Sequence, residues 1–422
     1  DNNAMWEISE NEECEEVLAS IIQERLLGAV FSISSQIVEE EICSMEDVDR
    51  GAKVGLRWEL GPFELMNEFG IDEAYRMAKS YSELHSDESE FKLPQFLQIK
   101  AETENPWMFE FVDAEIKNGI ATVNINRPEA MNALNGTVVD QLGALVDNLN
   151  EDTSIHTIVL EGAGKAFVAG ADVKFFVDRL DENAFPKIYE FTAEGHNVLA
   201  KIENSPKTTV ALTTGLALGG GLELALSCDY RIGTRRTQFR FPETSIGIYP
   251  GLGGTQRTTR ICGVNAARWA ILAGNWIGPK QGEDLGLITH LVEPADVEKT
   301  IEIISNQGKP ANKYTGAPIR MSEAVQAAIE FYSDDNMNSI MTGQIPEGSL
   351  EGYASRQIKQ ISRTAPIALR MASDLIDIAA STNLEEGLAA ELQHLEDIFA
   401  TKDAYEGLSS LIQGRRPNYN NE

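Results

Sequence analysis

Two glutamates, each beside a glycine-rich segment, are the side chains of this sequence best suited to acid–base chemistry. Glu223 follows the glycine run 219–221 among leucines, and Glu243 stands between Pro242 and a glycine-rich stretch at 247–254. A glutamate in the first turn of a helix commonly just complements the helix dipole. Apolar neighbours favour acid–base use instead, and two such carboxylates are harder to explain structurally. Paired carboxylates could activate water and donate a proton in turn.

Two segments of small residues, 165–174 and 215–226, could bind a ligand through the main chain. Small side chains let a ligand approach backbone N–H groups, and a glycine run that opens a helix offers free N–H groups to an oxyanion. Taken alone, the first segment is better explained as a tight turn between a strand and a helix. The run 162–165 resembles a phosphate loop, but Phe167 and Ala166 break both nucleotide-binding patterns, so no dinucleotide fingerprint is present.

The elements that must position these residues alternate between strand and helix. Asn118-Gly119 predicts a hairpin between two short strands, and an amphipathic helix follows over 138–149. Short apolar strands are predicted at 157–160, 210–212 and 230–232, and the second of them leads into the glycine run before Glu223. This alternation indicates an α/β core.

The rest of the chain predicts a domain boundary and an insertion. Residues 1–84 have helical periodicity, 85–106 are charged and proline-containing as in a linker, and 107–422 form the α/β domain. The stretch 306–352 is richer in Gly, Pro, Asn and Ser and is interpreted as an insertion with one helix around 322–332. From residue 354 the pattern is helical again.

Composition excludes several classes of protein. The 422 residues include 66 Asp or Glu and 35 Lys or Arg, for a net charge of −31, which disfavours nucleic acid and anionic membranes as partners. The sequence has no apolar run of about 18 residues that would predict a membrane span. It also has no basic leader that would predict a signal peptide, so we expect a cytoplasmic protein. The four scattered cysteines are interpreted as reduced thiols, and no metal site is expected. They are Cys14, Cys43, Cys228 and Cys262.

Four ordered blocks resemble the enoyl-CoA hydratase branch of the crotonase superfamily. They are NRPEAMNALN (126–135), KAFVAGADVK (165–174), GLALGGGLELALSCDY (215–230) and FPETSIGIYPGLGGTQR (241–257). The resemblance covers about 109–418. It implies an α/β fold in which a crotonase-type spiral of ββα turns carries a C-terminal helical region, here preceded by a small all-α domain. It also implies an acyl-CoA thioester substrate and a homotrimer or hexamer.

The resemblance assigns roles position by position. Glu223 and Glu243 match the two catalytic glutamates, whose joint presence favours hydration of a short-chain 2-enoyl-CoA such as crotonyl-CoA. The backbone N–H groups of Ala171 and Gly220 match the oxyanion hole, and Gly251 matches a loop glycine that positions water. Lys174 is the leading candidate for the CoA phosphates, with Arg127 and Arg415-Arg416 behind it. The other substrate-binding or CoA-binding positions are Ala130, Ala133, Ala169, Asp172, Val173 and Phe399, of which Phe399 could equally be a core aromatic.

The segment 44–72, SMEDVDRGAKVGLRWELGPFELMNEFGID, resembles the C-terminal helical domain of 3-hydroxyacyl-CoA dehydrogenases. The NAD-binding Rossmann domain and the catalytic histidine region of those enzymes are not found in the sequence. We therefore expect no NAD site, no other cofactor and no dehydrogenase activity from this chain. The full-length protein could carry the Rossmann domain.

Two other functions stay open from the sequence. One is a crotonase-type isomerase that acts on a 3-enoyl-CoA. The other is a non-catalytic CoA-binding or assembly subunit of a fatty-acid oxidation complex, with the N-terminal helices as a docking module. The presence of both glutamates argues against the non-catalytic function.

Overall fold

The computed structural model describes residues 16–85, 93–103, 105–314 and 321–422. The chain divides into two compact units, 1–110 and 111–422. Each unit has its own hydrophobic core, as expected for a chain of this length. Cys14 lies outside the described residues.

In its described part, the first unit contains helices and no strands. Side chains at the helix starts satisfy exposed N–H groups: Ser44 accepts a hydrogen bond from the backbone N–H of Asp47 at the start of the second helix. Apolar faces meet in a core that contains Phe31, Phe63 and Met66. The helices are α1 (Glu16–Glu39), α2 (Met45–Gly55), α3 (Pro62–Phe69), α4 (Ile71–Leu84) and α5 (Gln95–Thr103).

The prediction of a linker over 85–106 is wrong for the second half of that stretch, most of which the structure describes. Residues Gln95–Thr103 form α5, and Leu97 is fully buried in the helical core. The Trp107 ring stacks on Phe96 with ring centroids 4.6 Å apart and meets Phe63 edge-on at 5.2 Å. Aromatic packing thus outweighs the polar composition of this stretch, and the helical unit extends to residue 110.

Among the described residues, one segment, Val17–Glu39 in α1, is long and apolar enough to cross a membrane by length and composition. A core helix and a signal sequence near the N-terminus pass the same test. Phe31 of α1 is fully buried in the helical unit, whereas Leu18 and Leu26 are exposed. The absence of a membrane span therefore stays a prediction.

The second unit contains, in its described part, a six-stranded sheet in the order β1-β2-β3-β5-β7-β9. β1 and β2 form the predicted hairpin, with positive φ at Asn118 and Gly119, and the other neighbouring strands pair in parallel. The strands are β1 (Val112–Lys117), β2 (Ile120–Ile125), β3 (Thr157–Gly162), β5 (Thr208–Thr213), β7 (Tyr230–Gly233) and β9 (His290–Leu291).

A smaller parallel sheet, with the order β4-β6-β8, alternates along the chain with strands of the large sheet. Its strands are β4 (Ala166–Val168), β6 (Leu216–Leu218) and β8 (Gln238–Arg240). Each pair of strands, one from each sheet, is followed by a helix or helical turn, which confirms the predicted spiral of ββα units. Because the small sheet is parallel, the turns after its three strands lie at one edge.

Helices surround these sheets and continue to the C-terminus. They are α6 (Gly136–Glu151), α7 (Val173–Asp181), α8 (Phe185–Glu203), α9 (Gly220–Ser227), α10 (Gly254–Cys262), α11 (Val264–Ile271), α12 (Pro279–Asp284), α13 (Val297–Gln307), α14 (Glu323–Glu330), α15 (Asp334–Met341), α16 (Glu351–Ile361), α17 (Pro366–Ser381), α18 (Leu384–Gln393), α19 (Leu395–Phe399) and α20 (Lys402–Ile412). Single 3₁₀ turns occupy Pro128–Ala130, Glu243–Ile246 and Pro294–Asp296.

The stretch 306–352 has more structure than the predicted insertion with one helix. Its described part contains both α14 and α15, and Tyr332 between them is fully buried with its hydroxyl hydrogen-bonded to Gln357 at 2.6 Å. Arg268 of α11 forms an ion pair with Asp334 at 2.6 Å. The polar composition of the stretch did not predict these long-range contacts. Through them, its described part packs against the rest of the second unit.

Candidate active site

An apolar cavity of about 330 Å³ lies at the edge where β4, β6 and β8 end. Each strand delivers one part of its wall: the turn after β4 contributes Ala171, the start of α9 contributes Gly220 and Glu223, and the turn after β8 contributes Glu243. The structure therefore brings together all four residues that the sequence placed in the reaction centre.

Glu223 is buried and held by the main chain of a glycine-rich loop. Its Oε1 atom accepts hydrogen bonds from the N–H groups of Leu252 at 2.7 Å and Gly254 at 2.6 Å. Burial raises the pKa of Glu223 to about 7, although these two N–H groups act in the opposite direction. A carboxyl group that titrates near neutral pH is suited to general acid–base catalysis.

Glu243 begins the 3₁₀ turn after β8 and is also buried. Its Oε2 atom is buried and has no hydrogen-bond partner among the described residues. Burial, and next the negative charge of Glu223, raise the pKa of Glu243 well above its usual range. Two neighbouring buried carboxyl groups with unequal hydrogen bonding favour one ionised and one protonated group.

Two backbone N–H groups are directed to the same cavity. The peptides on either side of Ala171 bond to Leu134, which leaves the Ala171 N–H on the opposite side of the chain. Gly220 is the first residue of α9, where helix N–H groups lack internal acceptors. Neither N–H donates a backbone hydrogen bond within the described part of the chain. A methyl group built on Gly220 would lie 3.6 Å from the Ala171 nitrogen, so these two residues are neighbours, as a pair of donors to one oxygen requires.

The loop 251–254, which holds Glu223, is itself fixed by buried polar groups. His196 donates from Nε2 to the carbonyl oxygen of Gly251 at 2.7 Å, and burial lowers its pKa to about 4. Arg257 donates to the Leu252 carbonyl oxygen at 2.8 Å and pairs with Glu203 at 2.9 Å. No sequence motif indicated His196 or Glu203, although the motif GLGGTQR includes Arg257.

Segment 309–314 reinforces this arrangement from within the predicted insertion. Lys313 pairs with Glu203 at 2.8 Å and donates to the Ser227 carbonyl oxygen at the end of α9, and the Tyr314 hydroxyl also bonds to Glu203. Burial alone would raise the pKa of Glu203, but the charges of Arg257 and Lys313 outweigh it and lower that pKa to about 2. The ion pairs are therefore intact at neutral pH.

The predicted binding residues fall into two groups. Ala169, Val173, Gly251 and Phe399 line the cavity, and Phe399 packs on Phe176 with ring centroids 5.1 Å apart. Phe399 thus lines the cavity of its own chain. Among the described residues, Ala130, Ala133, Asp172 and Lys174 are not in the cavity wall, although Met131 between the two alanines is.

The basic candidates differ in how they are engaged. Arg127 pairs with Asp172 at 3.0 Å, and Asp172 also caps α7 by accepting from the Lys174 N–H. The Lys174 side chain is exposed at the start of α7, one residue after Val173 of the cavity wall. Arg415 forms two hydrogen bonds to Glu406, at 2.6 and 2.8 Å, so its guanidinium is already paired. Lys174 adjoins the cavity wall in sequence, and this position favours it over Arg415 as a phosphate ligand.

Metal chemistry has no candidate centre in the described ranges. No group of three or more His, Cys, Asp or Glu side chains there is arranged to hold a metal ion. Cys228 and Cys262 are buried free thiols, and burial raises the pKa of each to about 12. Cys43 is a partly exposed free thiol.

Comparison with protein families gives two matches. Residues 120–422 match the family model of enoyl-CoA hydratase/isomerase, and residues 22–105 match that of the C-terminal domain of 3-hydroxyacyl-CoA dehydrogenase. The short-chain-enoyl-CoA hydratase of Clostridium acetobutylicum is 31% identical over 262 residues, covering 57% of this chain and 97% of that protein. The crotonyl-CoA hydratase of Syntrophomonas wolfei is 34% identical over 200 residues, 47% of this chain and 75% of that protein.

Solved structures with the same fold include an enoyl-CoA hydratase from Rhodobacter sphaeroides and a carnitinyl-CoA dehydratase from Mycobacterium thermoresistibile. The first has a TM-score of 0.64 at 22% identity and covers 74% of this chain and 93% of its own. The second has a TM-score of 0.63 at 22% identity, with 74% and 92% covered.

Proposed function

The chain belongs to the enoyl-CoA hydratase/isomerase family, and we propose that it hydrates a short-chain trans-2-enoyl-CoA, namely crotonyl-CoA, to the 3-hydroxyacyl-CoA and catalyses the reverse dehydration. The observation that carries this proposal is the pair of buried glutamates on one apolar cavity, beside two N–H groups that donate no backbone hydrogen bond to any described residue. The names of the relatives from C. acetobutylicum and S. wolfei support the choice of substrate.

The hydrogen bonds assign a different role to each glutamate. Two N–H groups stabilise the carboxylate form of Glu223, whereas the buried Oε2 atom of Glu243 has no such donor among the described residues. A single proton shared by the pair therefore resides on Glu243. Glu223 is the general base that deprotonates water, and Glu243 is the general acid.

In one hydration cycle, Glu223 takes a proton from water and Glu243 gives one to the substrate. Glu223 removes a proton from water as the water oxygen bonds to Cβ, and the C=C electrons move through Cα to the thioester oxygen. The N–H groups of Ala171 and Gly220 stabilise that oxyanion, and each such donor is worth about 2.7–4 kcal/mol in related chemistry. The carbonyl re-forms as Cα takes the proton of Glu243. Proton exchange with solvent then restores both groups.

Coenzyme A is polyanionic, so a chain of charge −31 must oppose that charge locally. We assign the phosphates to Lys174 and, behind it, to Arg127, which would have to share its guanidinium with Asp172, its ion-pair partner at 3.0 Å. We also assign to substrate binding Ala169 of the cavity wall, and Ala130 and Ala133, which flank Met131 of that wall in sequence. Phe399 and Phe176 cover the acyl group.

The wider setting of the reaction is also proposed. The family resemblance supports a homotrimer or hexamer. A cytoplasmic location and a reaction without NAD or another cofactor, both expected from the sequence, belong to the same proposal. The match of residues 22–105 to a dehydrogenase C-terminal domain supports association with an NAD-binding domain in a full-length protein. This chain by itself would then oxidise no 3-hydroxyacyl-CoA.

Turnover of crotonyl-CoA tests the function. The purified chain is mixed with crotonyl-CoA, loss of the enoyl absorbance is followed, and the product is identified by mass spectrometry. We expect a gain of one water and formation of 3-hydroxybutyryl-CoA. Conversion of a 3-enoyl-CoA without any hydration would instead indicate an isomerase, and binding of CoA thioesters without either reaction would indicate a non-catalytic subunit.

The pH profile follows from the state of Glu223. Its folded-state pKa is raised to about 7, so its basic form is lost as the pH falls below that value. We expect kcat/KM for crotonyl-CoA to fall about tenfold for each pH unit well below 7, because only the ionised base is active. Initial rates between about pH 5 and pH 9 measure this fall of kcat/KM at acidic pH. A kcat/KM that does not change over this pH range would contradict the assignment of Glu223 as the base.

Gly219→Ala is expected to lower kcat about tenfold to a hundredfold, the scale of a displacement of up to about 1 Å in a catalytic group. Gly219 has φ of +48°, and a methyl group there would lie 2.2 Å from Oε1 of Glu243. The carboxyl group must therefore move. Gly136→Ala is the matched control, since a methyl group at Gly136 meets nothing within 4 Å. Equal kcat in both variants would show that the position of Glu243 is unimportant.

A further inference from the structure

A third buried glutamate, Glu391 of α18, lies behind the loop that holds Glu223. Its side chain is fully buried and does not line the cavity. Oε2 of Glu391 accepts a hydrogen bond from the Gly253 N–H at 2.6 Å, and Oε1 bonds to the Thr255 hydroxyl. The Tyr249 hydroxyl donates to the backbone oxygen of Glu391 at 2.6 Å, which ties α18 to the same region.

Glu391 and Glu223 bind alternate N–H groups of one short stretch of chain. Glu223 accepts from Leu252 and Gly254, and Glu391 accepts from Gly253 between them. The two carboxyl groups therefore fix three consecutive peptide groups from two helices, α9 and α18. A shift of Gly253 would move both N–H groups that hold the Glu223 carboxylate.

We propose that Glu391 is a positioning residue of the hydration reaction, which holds the loop 252–254 so that Glu223 is placed to deprotonate water. This inference rests on the proposed function. Loss of the Glu391 side chain would leave the buried Gly253 N–H without an acceptor, and the loop would shift to satisfy it. Glu223 would then lose one or both of its own N–H bonds.

The charge state of Glu391 suits this role. Burial, and next the negative charge of Glu223, raise its pKa to about 8, so it is mostly neutral at pH 7. A neutral carboxyl group accepts from Gly253 without placing a second negative charge beside the base. Glutamine has the same shape and an amide oxygen for the Gly253 N–H, so Glu391→Gln should preserve the geometry, whereas Glu391→Ala should not.

The kinetic test compares these two variants on crotonyl-CoA. We expect Glu391→Ala to lower kcat about tenfold to a hundredfold with KM little changed, and Glu391→Gln to restore kcat to within about threefold of wild type. Wild-type kcat in folded Glu391→Ala, or no rescue by glutamine, would overturn the proposal. Glu391→Asp, which shortens the side chain by one methylene, replaces the alanine variant if that variant does not fold.

The matched control is Asp49 in the helical unit. This buried carboxyl group also accepts backbone N–H bonds, from Phe63 at 2.8 Å and Glu64 at 2.9 Å. Asp49→Ala should lower the thermal midpoint of that unit and leave kcat unchanged. An equal loss of kcat in Asp49→Ala and Glu391→Ala would assign both effects to general destabilisation and overturn the positioning role.

A second readout is independent of turnover. The titration of Glu223 can be followed by ¹³C NMR of labelled glutamate carboxyl groups, with Glu223→Gln to assign the signal. Loss of the N–H bonds in Glu391→Ala should raise the Glu223 midpoint by about one pH unit, and Glu391→Gln should leave it in place. An unchanged midpoint in Glu391→Ala would overturn the positioning role. This readout does not need turnover. A wild-type chain that hydrates no enoyl-CoA would therefore reject the proposed function alone.

Discussion

Glu223→Gln is expected to lower kcat for crotonyl-CoA hydration by about 10²–10⁴-fold, the range that a positioned general base contributes. The amide oxygen of glutamine can still accept the N–H bonds of Leu252 and Gly254, which Glu223 accepts through Oε1. The loop should therefore keep its conformation while the side chain loses its ability to take a proton. We expect KM to change much less than kcat.

Glu161→Gln is the control for this substitution. Glu161 is a partly buried carboxyl group on β3 whose pKa is raised by burial, and it does not line the cavity. Removing its charge should leave kcat near the wild-type value. Steady-state kinetics on folded protein, verified by circular dichroism, measure both variants. A Glu223→Gln variant as active as Glu161→Gln would remove Glu223 from the reaction.

Glu243→Gln is the second substitution with a large expected effect, a loss of about 10²–10⁴-fold in kcat. Its carboxyl group is buried beside that of Glu223 and is held in the protonated form, so it can give a proton to Cα. The glutamine amide has the same shape but cannot donate a proton to Cα. We expect the thermal midpoint to be unchanged, because the Oε2 atom of Glu243 makes no hydrogen bond to a described residue that glutamine would lose.

Isotope exchange separates the two glutamates. In ²H₂O the wild-type enzyme should exchange a Cα proton of the 3-hydroxyacyl-CoA through reversible dehydration, and Glu243→Gln should slow this exchange along with hydration. Unimpaired exchange in Glu243→Gln would contradict its role as the acid at Cα, even if hydration were slow for another reason. NMR of the product mixture measures both processes.

The fold and the grouping of the candidate catalytic residues could be predicted because these residues lie in short, ordered motifs. Strands predicted at 157–160, 210–212 and 230–232 lie within β3, β5 and β7, and the Asn118-Gly119 turn is a hairpin. The glycine run after β6 and the Phe241-Pro242 turn after β8 place Glu223 and Glu243 at one sheet edge. Local sequence specifies such turns, and the parallel sheet then brings them together.

What could not be predicted depends on contacts between distant residues. Glu391 lies in an apolar helical stretch, and nothing near it in sequence indicates Gly253 as its partner. Segment 306–352 has a loop-like composition, yet Lys313 reaches Glu203 and Ser227. The predicted linker contains Leu97, whose burial depends on helices formed by earlier residues. Long-range packing outweighs local composition in each case.

The proposed mechanism requires Glu223 and Glu243 to act together on one substrate in one cavity. Its most direct test is kcat for crotonyl-CoA in wild type, Glu223→Gln, Glu243→Gln and the double variant under one set of conditions. We expect each single variant to lose at least about 10²-fold, and the double variant to be little slower than the slower single variant, since the two groups act as a unit. Equal kcat in all four proteins would contradict the account.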